Sequence, residues 1–336
     1  MSAPAVSVIV CAHDYERYVA EAIESALAQD HPSFEVIVVD DGSTDGTPDV
    51  IAGYGDAVRA IRRPNGGLNA ATDTGVAAAC GAYLTFLDAD DLWPADRLSR
   101  LAAVLDARPA VGVVYGDMDI VDATGRQVAP SFRRAYGIPP VSGRVLGRLL
   151  RNNAVSAGSM MVRASLRDRF HPIPPDAAHQ DWWIVTAVAG ETDVAAIDDV
   201  VNHYRHHGDN MNLGASGDQV LKLYRQELPF RRRLLTTTDP ALVALEDLVA
   251  ALGIHDRLVE RLAAADPEAA ALAAPSDRDA AVAAMNAASD ALDRGDLEAA
   301  GAWLVRAGAH DPVDGAPREL LSQLLPVIAA DRLVAA

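Results

Sequence analysis

Over the first 120 residues, short β-branched apolar runs alternate with stretches of helical spacing. Residues 6–11 form one such run, and apolar positions at Val19, Ala22, Ile23, Ala26 and Leu27 then predict a helix over 18–29. Further strands are expected at 34–39, 58–62, 83–87 and 111–119, with helices at 67–80 and 94–107 and a short one with Pro48 in its first turn, capped by Asp45 or Thr47. Strands separated by single helices imply βαβ units and a largely parallel sheet covered on both faces. Ligands of such sheets bind outside the carboxyl ends of the strands. That rule lines up residues 11–14, 40–43 and 88–91 along one cleft.

Farther on, 132–140 reads as a polar, proline-bearing loop, 147–153 as a short helix and 159–163 as a strand. A helix at 180–189, a strand at 194–204 and a loop at HHGDNMN (206–212) follow. From about Pro240 the pattern changes to Ala, Leu, Asp, Glu and Arg at helical spacing with no strand signal. Within this part, residues 279–312 resemble a single tetratricopeptide unit, with small residues on the first helix, a GDLEAA turn and a closing Asp-Pro. One repeat cannot bury a continuous core, which points to a helical annex rather than a peptide-binding array.

Half of the residues are hydrophobic, enough for a substantial core, and the formal net charge is -18. That charge argues against a nucleic-acid partner and against broad attraction to anionic lipid. Cys11 and Cys80 sit in apolar or small-residue surroundings and read as reduced thiols of a reducing compartment. No basic leader precedes the first apolar run and no stretch is long enough to cross a bilayer, so a cytoplasmic protein is expected. The one basic amphipathic stretch, KLYRQELPFRRRLL (222–235), reads as a connecting helix, with peripheral membrane contact as the alternative.

In YLTFLDADDLW, Asp88, Asp90 and Asp91 crowd within four positions after an apolar run, with no lysine and little arginine nearby in sequence. Such a cluster serves as a divalent cation site, a helix cap or an acid/base pair. Asp91 is placed to cap the following helix. Asp88 and Asp90 lie too early for that, and hard oxygen donors without cysteine favour Mg²⁺ or Mn²⁺ completed by substrate phosphate oxygens. In VVDDGSTDGT the two acids can accept hydrogen bonds from a ligand, or the segment is an ordinary strand-to-helix turn.

Taken together, VSVIVCAHDYERYVAEAIESALAQ, FEVIVVDDGSTDGT and NGGLNAATDTGVAAACGAYLTFLDADDLWPADRL resemble, in order and over about the first 100 residues, the family 2 glycosyltransferases of the GT-A fold. The resemblance implies a Rossmann-like mixed, mainly parallel sheet and metal-dependent, inverting transfer of a sugar from a nucleotide-sugar donor, UDP by default, to a hydroxyl acceptor. It implies Asp90 as metal ligand in a DxD motif, Asp88 at the ribose or a metal-bound water, and Asp41 on the pyrimidine base. Cys11, Ala12, His13, Asn65, Gly66, Asn69 and Ala89 would complete the donor nucleotide pocket. The chain departs from the family where a proline-x-tyrosine-asparagine pattern is usual, carrying Cys11, His13 and Asp14, and where Thr72 and Asp73 replace an arginine-asparagine pair.

Downstream, HQDWWIV is similar to the family's catalytic aspartate setting, which makes Asp181 the base that deprotonates the acceptor. The alternative is an N-capping aspartate beside a core tryptophan pair. Trp182 is assigned to the acceptor side, while Arg205 and His207, in HYRHHGDNMN, are assigned to the diphosphate, His207 also as a metal ligand. The expected organisation is a catalytic domain over 1–235, with a nucleotide-binding half at 1–120 and an acceptor half at 121–235, then an α-helical domain over 236–336 open to homo-oligomer formation. A sugar nucleotidyltransferase and a silent sugar-nucleotide-binding scaffold are the competing readings.

Overall fold

The structure, a computed structural model, describes residues 4–207 and 218–335. In chain order its strands and helices are β1 (Val6–Ala12), α1 (Val19–Leu27), β2 (Phe34–Asp40), α2 (Thr47–Ala52), β3 (Arg59–Arg62), α3 (Leu68–Ala78) and β4 (Tyr83–Asp88). Next come α4 (Arg97–Ala107), β5 (Val111–Asp122), β6 (Gln127–Ala129), α5 (Phe132–Tyr136), α6 (Leu146–Arg151), β7 (Met160–Arg163), α7 (Arg167–Phe170), α8 (Gln180–Ala189) and β8 (Asp193–His206). The chain ends in α9 (Asp218–Thr237), α10 (Leu245–Ala265), α11 (Pro267–Ala273), α12 (Arg278–Asp293), α13 (Leu297–His310) and α14 (Ala316–Ala335). Residues 208–212 of the expected HHGDNMN loop lie outside the described part.

The chain forms two compact units, the first built from 4–145, 153–175 and 179–207, the second from 146–152, 176–178 and 218–335. In the first, one sheet runs β3-β2-β1-β4-β7-β5-β6, with β8 pairing β5. The first four strands are parallel, as βαβ connections require, and β7 enters antiparallel between β4 and β5. This is the mixed, mainly parallel sheet expected. Its core is the apolar content of the strands themselves: Val8, Val10, Val36, Val38 and Leu87 are buried beside Ile23 and Ala26 of α1 and Leu98, Leu101 and Leu105 of α4. Burying chains of this kind contributes about 1.5–3 kcal/mol each. Helix α3 lies close on β1 because residue 75 is glycine; a Cβ there would collide with Ile9.

In the second unit, α10 packs against α9 and α13, and α12 and α13 form the helix–turn–helix expected at 279–312. Asp266, Asp277 and Asp296 cap α11, α12 and α13, each accepting from a backbone N–H of the first turn. The unit begins before the composition break near Pro240. Leu228 of α9 is buried with Leu258 and Leu262 of α10, which ties that helix to the elements that follow it.

Candidate active site

Strand register brings the predicted segments to one edge. Cys11 pairs with Val39 of β2 and Asp88 of β4, and Ala12 pairs with Asp40. Ala12 and Ala89 are both buried, and the Ala12 carbonyl accepts from the Asp41 N–H at 2.9 Å. The turns beyond β1 and β2 are clasped together. Asp14, at φ 56°, accepts from Thr44 N–H at 2.7 Å, and its own N–H donates to Ser43 Oγ at 3.0 Å. Gly42 sits at φ 74°, where a Cβ would come within 2.6 Å of the Asn65 nitrogen.

At the end of β2, the buried Asp41 carboxylate is already engaged. It pairs with Arg63 and accepts from Gly66 N–H at 3.1 Å and Gly67 N–H at 2.7 Å. His13 Nε2 lies 3.0 Å from Asn65 Nδ2, while His13 Nδ1 is buried with no hydrogen-bond partner among the described residues. Asn69 Nδ2 donates to the Pro174 carbonyl at 3.4 Å. Burial pushes the Cys11 thiol up to about 12, so it lines the edge as a neutral group against Thr72. Asp73, at the site of the missing arginine-asparagine pair, accepts from Ile173 N–H at 2.9 Å and lies 2.9 Å from His171 Nδ1; it holds the 171–173 segment.

The three acids separate by environment. Burial first, then the charges of Asp90 and Asp181, push the Asp88 carboxyl up to about 7. Asp90 Oδ2 lies 3.0 Å from His207 Nε2, with both side chains largely buried. Asp91 does not cap the following helix. That helix starts at Arg97 with Asp96 at the N-cap position, and Leu92 is held in a bridge to His203. Instead Asp91 is buried, accepting from Asn202 Nδ2 at 2.8 Å and Arg205 N–H at 2.9 Å. Burial and its two acidic neighbours still hold its carboxyl well above the usual range.

Arg205 is the cation that sequence proximity hid, but it does not face phosphate. Its side chain is 1% exposed, with Nε on the Asp90 carbonyl at 2.7 Å, Nη1 on the Ala123 carbonyl at 3.1 Å and Nη2 on Glu21 at 2.6 Å. The assignment to diphosphate binding is therefore corrected: Arg205 is a brace under the acid turn. Trp182 is corrected likewise. It is 1% exposed and belongs to the core, and Trp183 spends its indole N–H on the Phe170 carbonyl at 2.8 Å.

Asp181, in the first turn of α8, accepts from Asn153 Nδ2 at 3.1 Å, Ala157 N–H at 3.2 Å and Trp182 N–H at 2.6 Å. Burial raises its carboxyl; nearby His179 and the three donors oppose that. Its charge reaches Asp88 and contributes to the upward shift of that carboxyl. Sequence reading missed Arg63, Asn202, Asn153 and Tyr15, whose phenol is pushed up by burial and by Asp90, Asp88 and Asp91. Only Tyr15 had a local signal, lying two residues past His13.

The donor set fits a hard divalent cation. Asp90 and His207 offer one carboxylate oxygen and one imidazole nitrogen side by side, and the raised Asp88 records negative charge that burial leaves uncompensated. No group of three such side chains stands ready among the described residues, so ligand oxygens and water must complete the shell.

The description Glycosyl transferase family 2 matches residues 7–170. An uncharacterized glycosyltransferase of Nostoc sp. is 30% identical over 221 residues, 63% of this chain and 67% of that protein. Two longer glycosyltransferases of Rickettsia species are matched over only 18% and 21% of their length. Among solved structures, S. aureus TarS 1–349 in complex with UDP-GlcNAc superposes with TM-score 0.55 at 18% identity, covering 90% of both chains. The mannosyltransferase PcManGT from Pyrobaculum calidifontis, in complex with GDP-Man and Mn²⁺, gives TM-score 0.54 at 22% identity over 92% of this chain and 88% of that one. These two likenesses speak to the fold, and the sequence matches carry the assignment: the chain belongs to glycosyl transferase family 2.

Proposed function

We propose that this enzyme moves a sugar from a nucleoside-diphosphate sugar, UDP favoured, to an acceptor hydroxyl in a single inverting displacement. The observation that supports the reading is Asp90 paired with His207 just past the Asp88 strand end, within electrostatic reach of Asp181. TarS and PcManGT, with their bound nucleotide sugars, support the donor class.

Asp41 and His13 lie on the nucleoside side, with Asn65, Gly66 and Asn69 around them. Asp90 and His207 would hold Mn²⁺ or Mg²⁺, which when bound supplies positive charge to the departing diphosphate. Asp88 supports the ribose side. Asp181, fixed by three donors, takes the proton of the acceptor hydroxyl as that oxygen attacks the anomeric carbon from the face opposite the diphosphate. Its raised proton affinity makes it a stronger base than a solvated carboxylate. Donor turnover with Mn²⁺ tests this. Asp181→Asn is expected to abolish transfer and spontaneous donor hydrolysis while UDP still binds; unchanged turnover would remove Asp181 from the role.

A further inference from the structure

A second cleft, of about 700 Å³, opens within the first unit beside the β5–β8 ladder, between Asp117, Arg133, Arg134, Asp198 and a wall of Ile138, Pro139 and Pro140. Its size is that of a small-molecule site. Its polar groups stand apart from the pairing that is general in this acidic chain. The neighbours Asp193 and Asp199 form ion pairs with Arg144 and Arg100. Asp198, Arg133 and Arg134 form none among the described residues. Arg133 is anchored at one end only: Nη1 donates to the Ile197 carbonyl at 2.9 Å and the guanidinium lies over the Tyr115 ring at 4.8 Å. Its Nη2 is buried with no hydrogen-bond partner among the described residues. Leaving a buried donor unmade is unfavourable, so a ligand acceptor there has a ready gain.

The cleft adjoins the acid turn. Phe132, next to Arg133, packs edge-on against Tyr204 with centroids 5.5 Å apart, and Tyr204 lies within electrostatic reach of Asp91, Asp90 and Asp88. Asp117 already accepts from Ser131 Oγ and the Arg133 N–H, so the Asp198 carboxylate and the guanidinium donors, over a proline-rich apolar wall, match the surface of a sugar ring, with hydroxyls at its rim and C–H groups on its face. An anion would meet Asp117 and Asp198 as well as the arginines, and an apolar ligand would strand the guanidinium.

We propose that this cleft is a saccharide-binding subsite that holds a sugar unit of the acceptor, away from the hydroxyl that reacts. Arg133 and Arg134 donate to ring hydroxyls, Asp198 accepts from them, and Pro139 and Pro140 carry the apolar face. The proposal rests on the glycosyl transfer argued above for its acceptor role, whereas the binding itself is testable alone.

The full chain is titrated with glucose, galactose, N-acetylglucosamine, glucuronic acid, cellobiose and maltose, followed by saturation-transfer NMR, and with inorganic phosphate, followed by ³¹P line broadening, as the anion control. At least one saccharide is expected to bind in the millimolar range. Arg134→Ala with Asp198→Ala, both exposed positions, and separately Arg133→Gln should weaken it tenfold or more while the UDP-dependent thermal shift persists. Binding of no saccharide, binding that survives both variants, or binding of phosphate in place of any saccharide overturns the subsite. Saccharide binding by a wild-type chain that shows no nucleotide-dependent shift upholds the cleft and sinks the donor reading instead.

Discussion

Replacing Asp88 by asparagine removes a charge that the fold accommodates poorly, and the effect has a defined pH window. An ordinary aspartate titrates near 3.8; burial, with Asp90 and Asp181 nearby, moves this one to about 7. Below about pH 4 both folded and unfolded chains hold the proton and Asp88 carries no penalty. Between about 4 and 7 the unfolded chain has lost its proton while the folded chain keeps it, so stability falls as pH rises. Above about 7 the folded chain is ionised and bears the whole cost, at most about 4 kcal/mol at 1.36 kcal/mol per tenfold change in proton affinity. Asp88→Asn should therefore melt close to wild type at pH 4 and clearly above it at pH 8, by roughly 5–10 °C. Thermal unfolding followed by near-ultraviolet circular dichroism in EDTA, at steps from pH 4 to 8, measures the difference. A gain equal at all pH values, or a loss at pH 8, would refute the electrostatic account of the turn.

Asp181→Asn should lower kcat for transfer by about 10²–10⁴, the usual worth of a positioned base, with UDP affinity within threefold of wild type by calorimetry. Arg205→Met leaves the Asp90 and Ala123 carbonyls and the Asp91 turn without their brace; urea denaturation should show a loss of about 2–4 kcal/mol, with little rescue by Arg205→Lys, because a compact ammonium cannot span three partners. Gly75→Ala forces α3 away from Ile9 and should cost about 1–3 kcal/mol in the same assay. His207→Ala should weaken Mn²⁺-dependent UDP binding about tenfold or more by calorimetry, and should also lower the metal-free melting temperature, because it empties a largely buried position stacked on Tyr18.

What could be read along the chain was what local chemistry decides. The apolar runs at 6–11, 34–39 and 83–87 became β1, β2 and β4 because their side chains are buried on both faces. The strand-end rule then placed Asp41, Asp88 and Asp90 at one edge without any tertiary information. What escaped was pairing across long separations. Asp91 has the local appearance of a cap, and only its distant partners Asn202 and Arg205 show it to be a buried acceptor. Arg205 reads in sequence as a partner for phosphate oxygens; its interior position follows from β8 running on to His206 beside β5. A bridge from Leu92 to His203 of β8 is equally invisible in sequence, and α4 begins at Arg97 rather than Pro94. The tryptophan pair divides by helix face, which two adjacent letters cannot reveal.

The central claim is that the acid turn takes a nucleoside diphosphate together with a divalent cation. Thermal shift of the full chain against UDP, GDP and dTDP and their common sugar conjugates, each with and without Mn²⁺, tests it most directly, because a ligand selective for the folded state raises the melting temperature as its concentration exceeds Kd. At least one nucleotide should stabilise the chain only when Mn²⁺ is present, and Asp90→Asn should erase that increment. No shift with any nucleoside diphosphate, or equal shifts with and without metal, would contradict the account.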